Sequence, residues 1–143
     1  MILIDASLLI YASDSSLSQH ERTRSWLDEQ LSGTVPVGLP WPSLLTYLRI
    51  TTNSRSISRP QKMSDAWSQV REWLACEPAW TPEPTDRHSE TMRELCESAN
   101  VFGDLVPDAH LAALALDHGL TLCSDDLDFA RFPTLRWFNP LAA

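Results

Sequence analysis

The sequence predicts an α/β protein whose parallel sheet is covered by helices on both faces. Two short apolar runs, residues 1–4 and 120–123, favour this class, because uninterrupted apolar strands are typical of sheets buried on both sides. Helical patterns alternate with the predicted strands, which indicates parallel strands joined by crossover helices. The chain contains no internal repeat or linker, so we expect residues 1–143 to form a single domain with its own core.

The first strand is followed by a helix and a second short strand. Ser18 is predicted to cap this helix, and Gly33 is predicted to close it. The second strand covers residues 35–39, in which Pro36 favours a strand start or an edge position.

Two further helices occupy the middle of the chain, separated by a polar, basic loop over residues 53–60. The first spans about residues 41–52 and is predicted to turn three side chains inward: Leu44, Leu45 and Leu48. Ser64 is predicted to cap the second helix, whose apolar stripe comprises Trp67, Val70, Trp73 and Leu74.

The last part of the chain is predicted to hold two helices and three short strands. The first helix opens at Thr85 or Asp86. Pro107 is well suited to the first position of the second helix, and Gly119 ends it. The strands lie, in chain order, around Trp80, over residues 120–123 and over residues 135–138.

The composition and the N-terminal pattern indicate the cellular compartment of the protein. No apolar stretch approaches the ~20 residues of a membrane span, and the N-terminus has the pattern of a strand and not of a signal peptide. The three cysteines form no C-x-x-C pair, which favours reduced thiols on packing faces. We therefore expect a cytoplasmic protein that makes no contact with a membrane.

The net charge of −8 argues against a nucleic-acid partner, but the charge is unevenly distributed. Residues 30–64 contain no acid and carry four basic side chains: Arg49, Arg55, Arg59 and Lys62. This segment can be a solvated surface or a phosphate-binding one, and both interpretations stay open.

Acidic residues follow both apolar strands at the point where each strand ends. Asp5 comes directly after the first strand, and Asp126 and Asp128 follow the late one. Asp108 lies near the start of a helix, on the side of its apolar residues. Ligand crevices of open parallel sheets lie outside the carboxyl ends of the strands, so these acids predict one pocket that needs a cation. Oxygen ligands without His or Cys favour Mg²⁺ or Mn²⁺ over zinc.

Each of these acids, taken alone, also has a structural interpretation. Asp5 can serve as a turn residue, and Asp108 can interact favourably with the helix dipole. Asp126 and Asp128 can cap the turn around Phe129. Three neighbouring polar residues also have structural interpretations. Asp104 is expected to be a cap or loop acid, Asp125 a solvated acid, and His110 a surface or partly packed histidine.

Several segments occur in an order that is typical of one family. They are residues 4–11 (IDASLLIY), 44–52 (LLTYLRITT), 106–116 (VPDAHLAALAL), 124–132 (SDDLDFARF) and the closing pair Asn139-Pro140. In these segments the sequence resembles the PIN-domain ribonucleases, and in particular the VapC toxins of bacterial toxin–antitoxin pairs. The matching segments span nearly the whole chain.

The resemblance implies a three-layer α/β/α sandwich with a central parallel sheet of four to five strands. It also implies an Mg²⁺-dependent endoribonuclease, with Mn²⁺ able to substitute, that cleaves cellular RNA (transfer, ribosomal or messenger RNA) as a toxin. A cognate VapB-type antitoxin would block the site, and the protein would form a homodimer.

The family's catalytic acids can be matched to this sequence by position. Asp5 and Asp108 match the principal metal-holding aspartates. Asp126 matches a further acid in the loop after the late strand, and Asp128 lies beside it. The resemblance therefore implies that all four acids are catalytic and that the first two bind the metal.

Four other positions are the predicted substrate-binding residues. Ser7 stands where the family usually has Asn or Ser, and it is expected to hydrogen-bond either Asp5 or a metal-bound water. Thr46 replaces a glutamate that many PIN domains carry in this helix, which implies a weaker site or one that depends on Asp104 or Asp128. Arg49 and Arg55 are expected to contact RNA phosphates.

Two other classes of function remain open. Thr46 motivates a catalytically weakened PIN domain that acts mainly as an antitoxin-binding interaction protein. An aspartate after the first strand also occurs in phosphotransferases that form an aspartyl-phosphate. In that class a second aspartate is usual two positions later, where this chain has Ser7.

Overall fold

The computed structural model describes residues 1–57 and 59–142, so Ser58 of the predicted loop lies outside the described residues. Within these ranges the chain forms six α-helices, a short 3₁₀ helix and five strands. The strands are β1 (Ile2–Ile4), β2 (Val37–Gly38), β3 (Ala79–Trp80), β4 (Thr121–Cys123) and β5 (Trp137–Phe138). The helices are α1 (Ala6–Ser13), α2 (His20–Leu31), α3 (Trp41–Thr51), α4 (Met63–Ala75), α5 (His88–Ser98) and α6 (Leu105–His118), and the 3₁₀ helix is Leu127–Arg131.

The strands of the described ranges join one parallel sheet in the order β3-β2-β1-β4-β5. The central strand β1 pairs with β2 on one side, through Ile2 and Val37, and with β4 on the other, through Ile2 and Thr121. The chain leaves β1 toward β2 and β3, and it returns to the opposite side of β1 for β4 and β5. The boundary between β1 and β4 is therefore the topological switch point, where ligands bind in open α/β sheets.

Helices cover the sheet on both faces, as the sequence predicted. Leu3 and Ile4 are adjacent in β1 and both are fully buried, yet they belong to different core clusters. Ile4 packs with residues of α1–α4, whereas Leu3 packs with residues of α5 and α6. Because successive side chains of a strand point to opposite faces, the two clusters define a three-layer α/β/α sandwich.

Helix α1 is the element that the sequence patterns did not predict. The apolar residues of β1 continue into α1 with only Asp5 between them, so neither helical nor strand periodicity marks a boundary. The Asp5 side chain accepts a hydrogen bond from the Ala6 backbone N–H at 2.8 Å and so serves as the N-cap of α1. A single acid thus ends the strand and starts the helix.

Three predicted helix starts are wrong by one to two residues. Ser18 precedes α2 by two residues, and Ser64 is the second residue of α4, so neither serine is an N-cap. Pro107 is the third residue of α6 and not the first. The predicted end of α6 is correct, since Gly119 adopts the left-handed conformation with φ of 70°.

Two residues that were assigned to packing faces are exposed. Leu45 of α3 is 56% exposed and Trp67 of α4 is 39% exposed, whereas Tyr47, between the predicted Leu44 and Leu48, is fully buried. The inward stripe of α3 is therefore rotated from the predicted one toward Tyr47.

The start of α5 was also predicted too early. The sequence analysis placed it at Thr85 or Asp86, whereas Arg87 is the N-cap and the helix begins at His88.

The other predicted elements are present in the structure. The short strand around Trp80 exists as β3, and Pro36 directly precedes β2. The three cysteines are free thiols, with Cys123 buried and the other two half-buried. Across the described ranges, no helix has the length and apolar character needed to cross a bilayer.

Candidate active site

Acidic side chains from three elements meet beside the switch point of the sheet. The register pairs Ile4 with Cys123, so the residues that follow them, Asp5 and Ser124, leave the sheet side by side. The Asp5 backbone N–H donates to the Cys123 carbonyl at 3.1 Å, which holds this arrangement in place. Asp108 reaches the same edge from the first turn of α6.

Three carboxylates converge closely enough to share one cation. Asp108, Asp126 and Asp128 each offer a carboxylate oxygen, and these oxygens lie within 4.8 Å of one another. We call these three residues the acidic cluster. Mg²⁺ and Mn²⁺ prefer oxygen ligands, so the donor set fits such a cation.

The Asp5 carboxylate is fixed beside the acidic cluster by hydrogen bonds. It accepts from the Ser124 hydroxyl at 2.7 Å, from the Ala6 N–H at 2.8 Å and from the Ser7 hydroxyl at 3.4 Å. Burial raises the pKa of Asp5, the hydrogen bonds from Ser124 and Ala6 oppose this rise, and the charge of Asp126 adds to it. Asp5 is therefore rigidly held in a negative environment.

Asp108 is affected both by burial and by the charges of the other acids. Burial raises the pKa of Asp108 to about 6, and the charges of Asp126, Asp5 and Asp128 contribute to the rise. Arg131 offsets part of this effect. A carboxyl group whose pKa is raised by neighbouring carboxylates is typical of a site that a cation can neutralise.

Asp126 has both of the roles that the sequence left open. Its side chain accepts from the Asp128 backbone N–H at 2.9 Å and so caps the 3₁₀ helix. Its own backbone N–H donates to the Ser124 hydroxyl at 3.0 Å. A capping aspartate can still contribute an oxygen to a cation, because each carboxylate oxygen has two lone pairs.

The predicted metal pair and the acidic cluster share one residue. Asp108 belongs to both, whereas Asp5 is not among the three acids whose oxygens lie within 4.8 Å across the described residues. Asp5 is nevertheless close enough for its charge to raise the pKa of Asp108. The structure thus brings all four predicted acids to one edge, with Asp5 in a more buried and more strongly hydrogen-bonded position.

The predicted substrate-binding residues are more scattered. Of the two contacts predicted for Ser7, the hydrogen bond to Asp5 is present, with a length of 3.4 Å. Thr46 is half-buried in α3, while Arg49 in its last turn and Arg55 in the loop after it are exposed. Among the described residues, no side-chain hydrogen bond or ion pair links these last three to the acids, so their substrate role stays a prediction.

The sequence prediction missed Ser124 and misjudged Asp125. Ser124 is fully buried and bridges Asp5 and Asp126, and the pairing of two predicted strands could have revealed it. Asp125 was expected to be solvated, but it is half-buried and accepts from the Tyr11 hydroxyl at 2.8 Å. That contact joins residues 114 positions apart, so no local pattern could indicate it.

Two other polar residues beside the site agree with their structural interpretation. Asp104 is exposed at the N-cap position of α6 and makes no side-chain capping bond. His110 is half-buried and lies 3.0 Å from His88, nitrogen to nitrogen. Burial, together with the charge of His88, lowers the pKa of His110.

The parallel sheet in the order 3-2-1-4-5, with acids at its switch point, places the chain in the class of α/β proteins that can bind a cation at the strand ends. A comparison with family models identifies the family within this class. The family model described as PIN domain matches residues 2–135. The chain therefore belongs to the PIN domain family.

Within this family the chain is similar to proteins named VapC. It is 38% identical over 142 residues to Ribonuclease VapC37 of Mycobacterium tuberculosis, covering 99% of both chains. It is 37% identical over 141 residues to Ribonuclease VapC43 of the same organism, covering 99% of this chain and 96% of the relative.

Solved structures share the fold at much lower identity. VapBC-1 from nontypeable Haemophilus influenzae matches with a TM-score of 0.71 at 14% identity, covering 99% of this chain and 100% of the other. VapBC2 from Rickettsia felis, bound to a DNA fragment from its promoter, matches with a TM-score of 0.68 at 18% identity, covering 97% and 98%.

Proposed function

We propose that this protein is a metal-dependent endoribonuclease and the toxin of a toxin–antitoxin pair. Relatives that match it over nearly their whole length are named ribonucleases. The convergence of Asp108, Asp126 and Asp128 within 4.8 Å, beside the buried Asp5, is the observation on which the proposal depends.

Each acid has a distinct role in the proposed reaction. Asp5 and Asp108 would hold Mg²⁺, for which Mn²⁺ could substitute, and Asp126 and Asp128 would complete the pocket. When bound, the cation supplies charge neutralisation and polarisation of the scissile phosphate. Asp126 is fixed through Ser124 and is suited to orient the attacking water. Arg49 and Arg55 hold the RNA through its backbone phosphates.

The proposed partners follow from the relatives. A VapB-type antitoxin would cover the acidic edge and inhibit cleavage, and two copies of this chain would form a homodimer in the cytoplasm. Solved structures with the same fold contain VapBC and FitAB proteins, which supports a protein partner for this chain.

The proposal is tested by removing one charge from the acidic cluster. Asp108→Asn keeps the size of the side chain but removes a ligand charge, so we expect Mn²⁺ binding to be lost and RNA cleavage to fall roughly a hundredfold or more. Asp104→Asn is the matched control, because Asp104 is exposed, lies one turn away on the same segment and is not in the cluster. Equal cleavage by wild type and Asp108→Asn would overturn the assignment.

A catalytically weakened, antitoxin-binding domain is the alternative, and Thr46 is the observation in its favour. Thr46 supplies a hydroxyl where many PIN domains have a carboxylate. The two functions are separated by titrating Mn²⁺ into the wild-type protein. Absence of binding at millimolar Mn²⁺, together with no metal-dependent cleavage, would favour the interaction protein.

A further inference from the structure

A hydrogen bond joins α1 to the loop after β4 and has no role in the proposed chemistry. The Tyr11 hydroxyl donates to Asp125 Oδ2 at 2.8 Å, and both residues are half-buried. Asp125 immediately precedes Asp126 in the acidic loop, which we define as residues 124–128. Tyr11 lies on the same helix whose N-terminus is capped by Asp5.

The direction of the Tyr11 side chain places its hydroxyl close to the acidic edge. Tyr11 is one turn beyond Ser7, so both residues lie on the face of α1 that looks toward the acidic loop. The Tyr11 backbone is about 9 Å along the helix from Asp5. Helical side chains lean toward the N-terminus, so the phenol spans part of this separation.

Electrostatics agree with that placement. Burial raises the pKa of Tyr11 to about 12, with further contributions from the hydrogen bond to Asp125 and from the charges of Asp125, Asp5 and Asp126. The Tyr11 hydroxyl therefore remains a hydrogen-bond donor throughout the working pH range, and the charges of three carboxylates act on it.

The acidic loop is held at two consecutive residues. Ser124 bonds Asp5 through its hydroxyl, and its carbonyl accepts from the Trp137 indole N–H at 2.9 Å. Asp125 is held by Tyr11. Because Asp126 and Asp128 follow within three residues, these anchors determine where their carboxylates lie relative to Asp108.

We propose that Tyr11 is a positioning residue of the active site, whose hydrogen bond to Asp125 fixes the acidic loop on α1 so that Asp126 and Asp128 meet Asp108. The inference rests on the proposed function, because Asp126 and Asp128 are the acids proposed to complete the cation pocket around Asp108. Tyr11 itself contacts neither substrate nor cation; it also turns the Asp125 carboxylate aside, so that of two adjacent acids only Asp126 faces the cluster.

The test compares two tyrosine substitutions that each remove one hydroxyl. Tyr11→Phe is expected to weaken Mn²⁺ binding about tenfold, as is typical when a residue that supports a metal ligand is lost. Tyr47→Phe is the matched control, because the other tyrosine of the chain is fully buried and its ring packs on Trp73 at 4.9 Å between centroids. Its Mn²⁺ affinity is expected to equal that of the wild type.

Substitutions of Asp125 distinguish the effect of its hydrogen bond to Tyr11 from the effect of its negative charge. Asp125→Asn keeps an oxygen that accepts from Tyr11, so its Mn²⁺ affinity is expected to stay within about threefold of the wild type, whereas Asp125→Ala is expected to match Tyr11→Phe. Combining Tyr11→Phe with Asp125→Ala is expected to add no further loss, since both remove the same bond.

A measurement on the metal-free protein distinguishes failure of this inference from failure of the proposed function. The backbone N–H groups of Asp126 and Asp128 are bonded within the acidic loop. Their hydrogen exchange is expected to accelerate roughly threefold or more in Tyr11→Phe and to be unchanged in Tyr47→Phe. Unchanged exchange and unchanged Mn²⁺ affinity in Tyr11→Phe would overturn the positioning role. Accelerated exchange in a protein whose wild type binds no Mn²⁺ would uphold the loop anchor and refute the nuclease assignment.

Discussion

The acidic edge of the sheet and the basic segment of residues 49–62 differ in how the fold holds their charges. At the edge, Asp5, Ser124 and Asp126 are linked by hydrogen bonds of 2.7 to 3.0 Å, and Ser124 is fully buried. In the basic segment, Arg49 and Arg55 are exposed, and across the described residues no side-chain bond fixes either guanidinium. Like charges are thus held together by hydrogen bonds at the edge, whereas the described residues provide no such bonds for the opposite charges of Arg49 and Arg55.

This difference indicates that the acidic edge is suited to bind a cation and that the basic segment is suited to variable surface contacts. Two unit charges ~4 Å apart repel by roughly 4 kcal/mol at an effective dielectric of ~20, so converging carboxylates lower stability unless a cation is present. Flexible surface charges cost little and gain little. We therefore expect substitutions at the edge to have large effects on metal binding and stability, and substitutions in the basic segment to have small ones.

The largest effect after loss of a cluster acid is expected from Ser124→Ala. This change removes the shortest hydrogen bond to Asp5 and leaves the Asp126 N–H without a partner, so the free energy of unfolding is expected to fall by about 1–3 kcal/mol. Mn²⁺ affinity is expected to fall about 10- to 100-fold. Chemical denaturation and Mn²⁺ titration measure the two quantities.

Ser7→Ala is the control for that experiment. Its bond to Asp5 is longer, 3.4 Å against 2.7 Å, and it bonds only one of the two acids. Its effect on unfolding is expected to be below about 1 kcal/mol. Equal losses in both variants would show that the site does not depend on the buried bridge between the strand ends.

The pH dependence of metal binding is the next effect in size. Because the pKa of Asp108 is raised to about 6, protons compete with the cation below that pH. Mn²⁺ affinity is expected to fall about tenfold for each pH unit below 6 and to level off above 7. Asp104→Asn is expected to keep this profile, and an affinity that is constant from pH 5 to pH 7 would contradict the coupling of Asp108 to its neighbours.

The stability of the metal-free protein is expected to fall as the pH rises, whereas the affinity for Mn²⁺ is expected to rise. The pKa of Asp108 rises from 3.8 to about 6 on folding, so between these values the folded state binds more protons than the unfolded state. Its contribution to stability is therefore present at low pH and lost as pH rises through about 6. Asp108→Asn removes this loss, so it is expected to melt above the wild type at pH 7 and alongside it near pH 4, as measured by calorimetry without metal.

The sequence predicted the acids of the sheet edge more accurately than it predicted the tertiary contacts around them, and the reasons are physical. Asp5 and Asp126 could be found because strand ends of a parallel sheet converge, and this follows from local patterns. The rotation of α3 toward Tyr47 and the exposure of Leu45 depend on which neighbouring helices pack against it. The bond between Tyr11 and Asp125 depends on a tertiary contact that the resemblance did not include, so only the structure reveals it.

The smallest effect is expected from removing charges in the basic segment. Arg49→Ala combined with Arg55→Ala is expected to slow RNA cleavage only severalfold at low salt and to leave Mn²⁺ affinity unchanged. Each lost phosphate contact should reduce the slope of log affinity for RNA against log salt by about 0.7, the value for single strands. Arg22→Ala combined with Arg71→Ala removes the same charge from exposed positions outside the segment, and it is the matched control. An equal slope in both double variants would mean that RNA binding depends only on the overall charge of the protein. A smaller slope only in the Arg49 and Arg55 double variant would assign the phosphate contacts to these two arginines, and the chemistry would then belong to the acidic edge.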